Sequence, residues 1–257
     1  MSLRIALHAA ALWAAAGAVV DVTVASESGL LQLVGLPVAW ALFARDRGPR
    51  SADPRWLIAA SVLALGYAAA SVGLPRLVAV SFAFASLGAI LAAHVREPGR
   101  ASGLFLLACS AAPLVDIVQA LAGAPLRAAV SSSAAFLLCC AGIHVVADGV
   151  ALVEGSSTVF VDPACSGLRY LWCAFLLAAV LAAWARLDFR RTAELVALAI
   201  PATFVANVLR AASLFFVERA PLDVARSQGI HAAVGVAGFA LVSVLLVAFV
   251  VQRRRIA

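Results

Sequence analysis

The sequence predicts an all-α protein that crosses a membrane several times, and three observations carry that prediction. Hydrophobic residues make up 65% of the 257-residue chain and charged residues 12%, too little charge to cover a soluble domain of this size. Several apolar runs approach the roughly 20 residues needed to cross a bilayer core. The arginines gather in the connections between those runs, which is how basic residues distribute when a chain is oriented in a membrane. The net charge of +6 follows from that bias, so no nucleic-acid partner is expected.

Spans are expected at about 5–22, 29–44, 56–73, 76–94, 101–119, 166–185, 192–217 and 231–251. The first could pass for a secretory signal with Thr23-Val24-Ala25 as a loose cleavage site, but Asp21 beside it and the many later spans favour an uncleaved helix. Arg45, Arg47, Arg50 and Arg55 share one connection, Arg96 and Arg100 a second, and Arg186, Arg190 and Arg191 a third; Arg253-Arg254-Arg255 close the chain. With all four groups cytoplasmic, eight spans fit, both termini are inside, and the acidic segment 20–28 falls outside.

That count leaves both ends of a further helix-like run, about 125–142, on the outer side. Arg127 and Ser131-Ser132-Ser133 suit a helix that lies in the interface or re-enters it. A ninth crossing there would move Cys165 to the inside. From 143 to 162 the pattern turns to β-branched runs, with turn chemistry at Asp148-Gly149 and at Glu154-Gly155-Ser156-Ser157. One or two small extracytoplasmic β-hairpins are expected. No internal repeat or linker interrupts the chain, so residues 1–257 read as a single integral-membrane domain.

Reactive groups collect in Asp162-Pro163-Ala164-Cys165-Ser166-Gly167-Leu168-Arg169-Tyr170-Leu171, where the strand-like segment meets an apolar helix. Asp162 can cap that helix and Pro163 fits its first position, which puts Cys165 in the first turn. Free amides and the positive end of the helix dipole favour a thiolate there. Small cysteines in membrane helices are usually packing residues, and the five here have no framework or metal spacing. The cap, the outer depth and Arg169 one turn on set Cys165 apart. Arg169 itself could equally snorkel to lipid headgroups.

Asn207, Arg210 and Ser213 recur at helical spacing on an otherwise apolar span, with Arg210 about two turns inside its outer end near Glu218. An arginine at that depth normally faces the protein interior, either joining helices or polarising a carbonyl. His231 opens the last span at the level of Cys165 and can serve as general base and then acid, with His144 as a rival. His8 and His94 fall near the cytoplasmic side. Motifs for an intramembrane zinc site, an aspartyl or serine protease and a phosphate loop are all missing, so no cofactor or metal is expected.

Ala164-Cys165-Ser166-Gly167-Leu168-Arg169, followed by Asn207-x-x-Arg210 and then His231, resembles the exosortase/archaeosortase family. The likeness is specific over about 140–240 and loose elsewhere. It implies a bacterial inner-membrane cysteine transpeptidase whose site faces the periplasm. Such an enzyme recognises a C-terminal sorting tail made of a short signature (often Pro-Glu-Pro), a transmembrane helix and a basic cluster. It cuts near the signature and passes the protein to an acceptor, often alongside exopolysaccharide production. The partners implied are the tails of secreted proteins, with a membrane lipid or glycan as acceptor. Carried over by residue, Cys165 is the nucleophile, Arg210 the substrate or oxyanion stabiliser and His231 the acid–base group; Arg169 and Asn207 are expected to bind substrate. The final His, where archaeal members tend to have Arg, points to the bacterial branch. Two other readings stay open: a transporter with Arg210, Asn207 and Asp116 lining a polar path, and a non-catalytic assembly protein for polysaccharide export.

Overall fold

The computed structural model describes residues 33–46, 52–161, 166–220 and 223–256. The expected first span, the 20–28 segment, Arg47, Arg50 and the stretch Asp162–Cys165 lie outside them. The chain gathers into two compact units, Met1–Ile117 with Phe175–Val196 and Val118–Ala174 with Ala197–Ala257. Among the described residues six helices are long and apolar enough to cross a membrane, and one small sheet interrupts them. The protein is therefore an all-α polytopic membrane protein.

In the first unit α1 (Gly35–Ala44) is followed by α2 (Pro54–Gly73) and α3 (Arg76–His94). Asp53 caps α2 by accepting from the Arg55 N–H at 2.9 Å, and Pro54 takes the first position, where its missing N–H costs nothing. Ile58, Val62, Leu65 and Val72 of α2 are exposed at helical spacing, an apolar face suited to lipid. Its other face meets α3, where Ser86 Oγ donates to Ala60 O at 2.9 Å.

Short α4 (Ala101–Cys109) is buried along most of its length. It comes so close to α6 (Leu168–Ala185) that a Cβ on Gly103 would overlap the Ala183 backbone. Backbones drawn together by small residues are the usual packing solution where lipid supplies no hydrophobic drive.

The segmentation expected between 101 and 142 is corrected here. The helix breaks after Cys109, and α5 then runs unbroken from Leu114 to Cys140 with Pro125 inside it. Ala111 and Ala112 tighten to three-residue backbone bonds, and Pro113 has no N–H with which to continue the ladder. Pro125 removes a single bond from a helix 27 residues long, a loss that membrane helices tolerate. Residues 125–140 are thus the second half of a helix of crossing length, not a separate interfacial helix. Ser131 is fully buried and donates to Ala151 O at 2.9 Å, anchoring the sheet to α5.

That sheet is antiparallel in the order β1 (Val146–Asp148), β2 (Ala151–Glu154), β3 (Ser157–Phe160). Two-residue turns join the strands at Gly149-Val150 and Gly155-Ser156. In each the glycine holds positive φ, 57° and 58°, as the first position of a type II′ turn requires. Leu152, Val159 and Val161 rest on Val130, Ala134 and Leu138 of α5 and on Ala211, Leu214 and Phe215 of α7 (Phe189–Arg219). Truncating a fully buried residue such as Leu152 to Ala should cost about 2–5 kcal/mol. The last helix, α8 (Val224–Ile256), buries Val242, Leu246 and Val250 at four-residue spacing.

Ion pairs join three connections of the first unit. Arg100 reaches Asp46 at 4.0 Å and Glu97 at 3.4 Å, and Arg186 reaches Glu97 at 2.6 Å. These connections were expected on one face from their arginines alone, and the structure brings them together.

Candidate active site

Arg169, Asn207, Arg210 and His231 lie on the parts of α6, α7 and α8 that belong to the second unit. Cys165 lies outside the described residues. Helix α6 begins at Leu168, later than the start expected near Pro163. The cause is Gly167, whose φ of +81° is left-handed and incompatible with a helix running through it. Its carbonyl accepts the first helical bond, from the Leu171 N–H at 2.9 Å. Ser166 is buried and donates through Oγ to Gln119 Oε1 at 2.9 Å, fixing the entry to α6 against α5.

The same glycine sets the spacing between the two motifs. A Cβ on Gly167 would stand 3.1 Å from Asn207 Nδ2, so Asn207, itself buried, packs directly against the entry to α6. One helical turn along both elements, the Arg210 guanidinium lies over the ring of Tyr170, with Cζ 5.2 Å from its centroid. Helix α8 closes on this pair through Gly235: a Cβ there would be 2.6 Å from Tyr170 Oη and 4.0 Å from Arg210 Cζ. Arg210 Nε is buried and has no hydrogen-bond acceptor among the described residues. A guanidinium held on an aromatic face with a donor unspent can receive a carbonyl or an oxyanion.

His231 lies one turn before Gly235 on the same face of α8. It does not open the helix as expected. Helix α8 starts two turns earlier at Val224, where Asp223 Oδ1 accepts from the Arg226 N–H at 2.8 Å. The imidazole turns toward α7, with Nε2 2.6 Å from Glu218 Oε1. An ionised carboxylate only accepts, so Nε2 carries the hydrogen and Nδ1 keeps the lone pair that a base needs. His231 and Glu218 also line a cavity of about 280 Å³ with Thr158, Phe160, Ala211 and Leu214. His144, the rival base, is exposed just before β1 and is not among the residues lining this cavity.

Other expectations fare unevenly. Arg169 is exposed at the start of α6. Ser213 is exposed and donates to Leu209 O of its own helix at 2.8 Å, so the polar stripe of α7 is not one inward face. Tyr170 and Glu218, which hold Arg210 and His231, were not expected as site residues. Their only signal was position: Tyr170 is one of two tyrosines in the chain, and Glu218 an acid at a span's end. Among the described residues no cluster of His, Cys, Asp and Glu could hold a metal ion.

Fold and site together define a polytopic membrane protein whose second unit sets Arg210 on Tyr170 and His231 on Glu218. The chain matches the family Transmembrane exosortase (Exosortase_EpsH) over residues 8–248, and it belongs to that family. The family is generally one of membrane cysteine peptidases and transpeptidases. No curated protein and no solved structure matches the chain.

Proposed function

We propose that the protein cleaves the C-terminal sorting tails of exported proteins on the outer face of the bacterial inner membrane and transfers them to an acceptor. The observation that carries this reading is the Arg210–Tyr170–Gly235 contact. It packs the two motif helices against the face of α8 that bears His231 and leaves a guanidinium N–H unspent. Orientation is supported by the arginine connections. If the face holding Asp46, Glu97, Arg100 and Arg186 is cytoplasmic, the alternation of crossing-length helices puts the sheet and the start of α6 outside.

In this mechanism neutral His231 takes the proton of the Cys165 thiol, and the thiolate attacks the carbonyl carbon of the scissile bond. The oxygen that gains charge is met by Arg210. As the C–N bond breaks, protonated His231 gives its proton to the leaving amine, and the substrate remains as a thioester. The acceptor then attacks while neutral His231 takes its proton, releasing Cys165. Glu218 acts only through His231, holding the tautomer with Nδ1 free. Arg169 and Asn207 bind the tail, Asn207 by keeping the entry to α6 in place.

The test is a periplasmic reporter fused to a tail from the same bacterium, made of a short signature, an apolar span and a basic cluster. The wild-type chain should shorten the reporter. Cys165→Ala should abolish processing and hold the uncut reporter through purification, and His231→Ala should do the same. Processing by Cys165→Ala would end the enzyme reading.

A further inference from the structure

The backbone of β3 is half used. Two-residue turns and the Val161 N–H to Val150 O bond of 2.8 Å fix the register of the β2–β3 ladder. In an antiparallel pair, residues alternate between bonding their partner and pointing away from it. Ser157, Val159 and Val161 therefore bond toward β2, and Thr158 and Phe160 turn their N–H and C=O groups to the other side. The sheet ends there, since β3 is its last strand. Among the described residues no backbone group takes up those four bonds. Unused edge groups are a template for another strand.

Thr158 to Val161 of this strand line the cavity of about 280 Å³, together with Leu152, Ala211, Leu214, Glu218 and His231. A volume just below the roughly 300–1,000 Å³ range for ligand pockets takes a few side chains, not a lipid tail or a folded partner. Charge narrows the occupant further. Glu218 is an anion beside the neutral ring of His231, which repels a phosphate, and its neighbour Arg219 pairs with Glu154, so neither offers a free cation to a phosphate or headgroup. Two donors and two acceptors repeat along β3 every two residues, about 6.6–6.8 Å apart, which is the spacing of an extended peptide.

We infer that β3 is the docking strand for substrate. The segment next to the scissile bond adds to the sheet as a fourth strand, bonding the backbone of Thr158 and Phe160 and placing alternate side chains in the cavity that His231 helps to line. Main-chain bonds of this kind supply affinity and the cavity supplies selectivity. The inference rests on the proposed function and names how that same site takes its peptide.

The experiment uses the full-length chain with Cys165→Ala and its other native cysteines removed. Thr158→Cys or Phe160→Cys is added, together with the tail reporter carrying one cysteine at successive positions before its cleavage site. Strand addition predicts disulfides at alternate reporter positions for each of the two strand cysteines. A second arm, in the otherwise wild-type chain, compares proline substitutions. Thr158→Pro and Phe160→Pro each delete one outward N–H and leave the β2 ladder whole, so the protein should accumulate normally and KM should rise about two- to twelvefold. Val159→Pro removes an inward bond and should lower accumulation instead.

Cross-links at every reporter position or at none, with both outward prolines matching wild type, would overturn the inference. Cross-links between two copies at Thr158→Cys, without alternation on the reporter, would also overturn it by giving the edge to a second copy. Failure of the wild-type chain to process the reporter counts against the proposed function. The cross-linking pattern reports on docking whether or not cleavage occurs, so the two failures are told apart.

Discussion

Arg100 and Arg186 of the first unit end on carboxylates, Asp46 and Glu97 for one and Glu97 for the other. Arg210 of the second unit ends on the ring of Tyr170 and keeps a buried Nε–H without an acceptor among the described residues. Both arrangements tame an arginine in an apolar chain, by different means. A carboxylate neutralises the charge, although Arg100 Nε, like Arg210 Nε, is buried with no hydrogen-bond acceptor among the described residues. An aromatic face stabilises the cation and leaves its hydrogen-bonding edge open. The first arrangement suits holding connections together and the second suits chemistry. The two histidines differ in partner: His94 turns Nδ1 toward Ile90 O of its own helix at 2.9 Å, and His231 turns Nε2 toward the Glu218 carboxylate of another helix at 2.6 Å.

The largest effect should come from exchanging the chemistry of Arg210. Lysine keeps the charge and loses the planar fork, so Arg210→Lys should fold and accumulate but process the tail reporter about a hundred- to a thousandfold more slowly. Glu97→Gln in the first unit should do the reverse, lowering thermal stability in detergent and leaving the rate per folded molecule unchanged. If both variants lost activity and stability in parallel, the division between structural and chemical arginines would fail.

Next in size is Glu218→Gln. The amide can hold either face of the imidazole, so the tautomer is no longer selected. The maximal rate should fall about tenfold or more, within what general acid–base catalysis contributes, while the amount of uncut reporter held by the Cys165→Ala background stays the same. Weaker holding of uncut reporter would make Glu218 a binding group instead.

The fold was legible where a single physical rule dominates. Lipid demands long apolar helices and biases arginine to one side, and both signals are written locally in the sequence. Asp148-Gly149 and Gly155 announced the turns of the sheet because positive φ at those points admits little but glycine. Local reading failed where two prolines had opposite effects. Pro113 stops a helix and Pro125 rides inside one, and neither outcome follows from proline alone. It failed again at Gly167, which read as part of a motif while its left-handed φ sets the start of α6 at Leu168. Tyr170 and Glu218 were missed because their roles lie in contacts 40 and 13 residues away along the chain.

The smallest effect sharpens the comparison at the ends of two helices. Helix α5 closes on Gly142 with φ of +86°, and the Ile143 N–H returns to Leu138 O at 3.0 Å. Helix α6 closes in the same way, with the Leu187 N–H returning to Ala182 O at 3.0 Å, but its left-handed residue is Arg186 with φ of 58°. A side chain in that conformation costs about 1–2 kcal/mol, which glycine avoids. Arg186 is tolerated because Nε meets Glu97 at 2.6 Å, a half-exposed pair of the kind that contributes about 0–1 kcal/mol. Arg186→Gly removes both terms, so the melting temperature in detergent should stay level or rise slightly. In a Glu97→Gln background the ion pair is already gone, and the same substitution should then stabilise more clearly, by about 1 kcal/mol. Equal effects in the two backgrounds would mean that the Arg186–Glu97 pair contributes nothing, and that the first unit's arginines are held by packing instead of by charge.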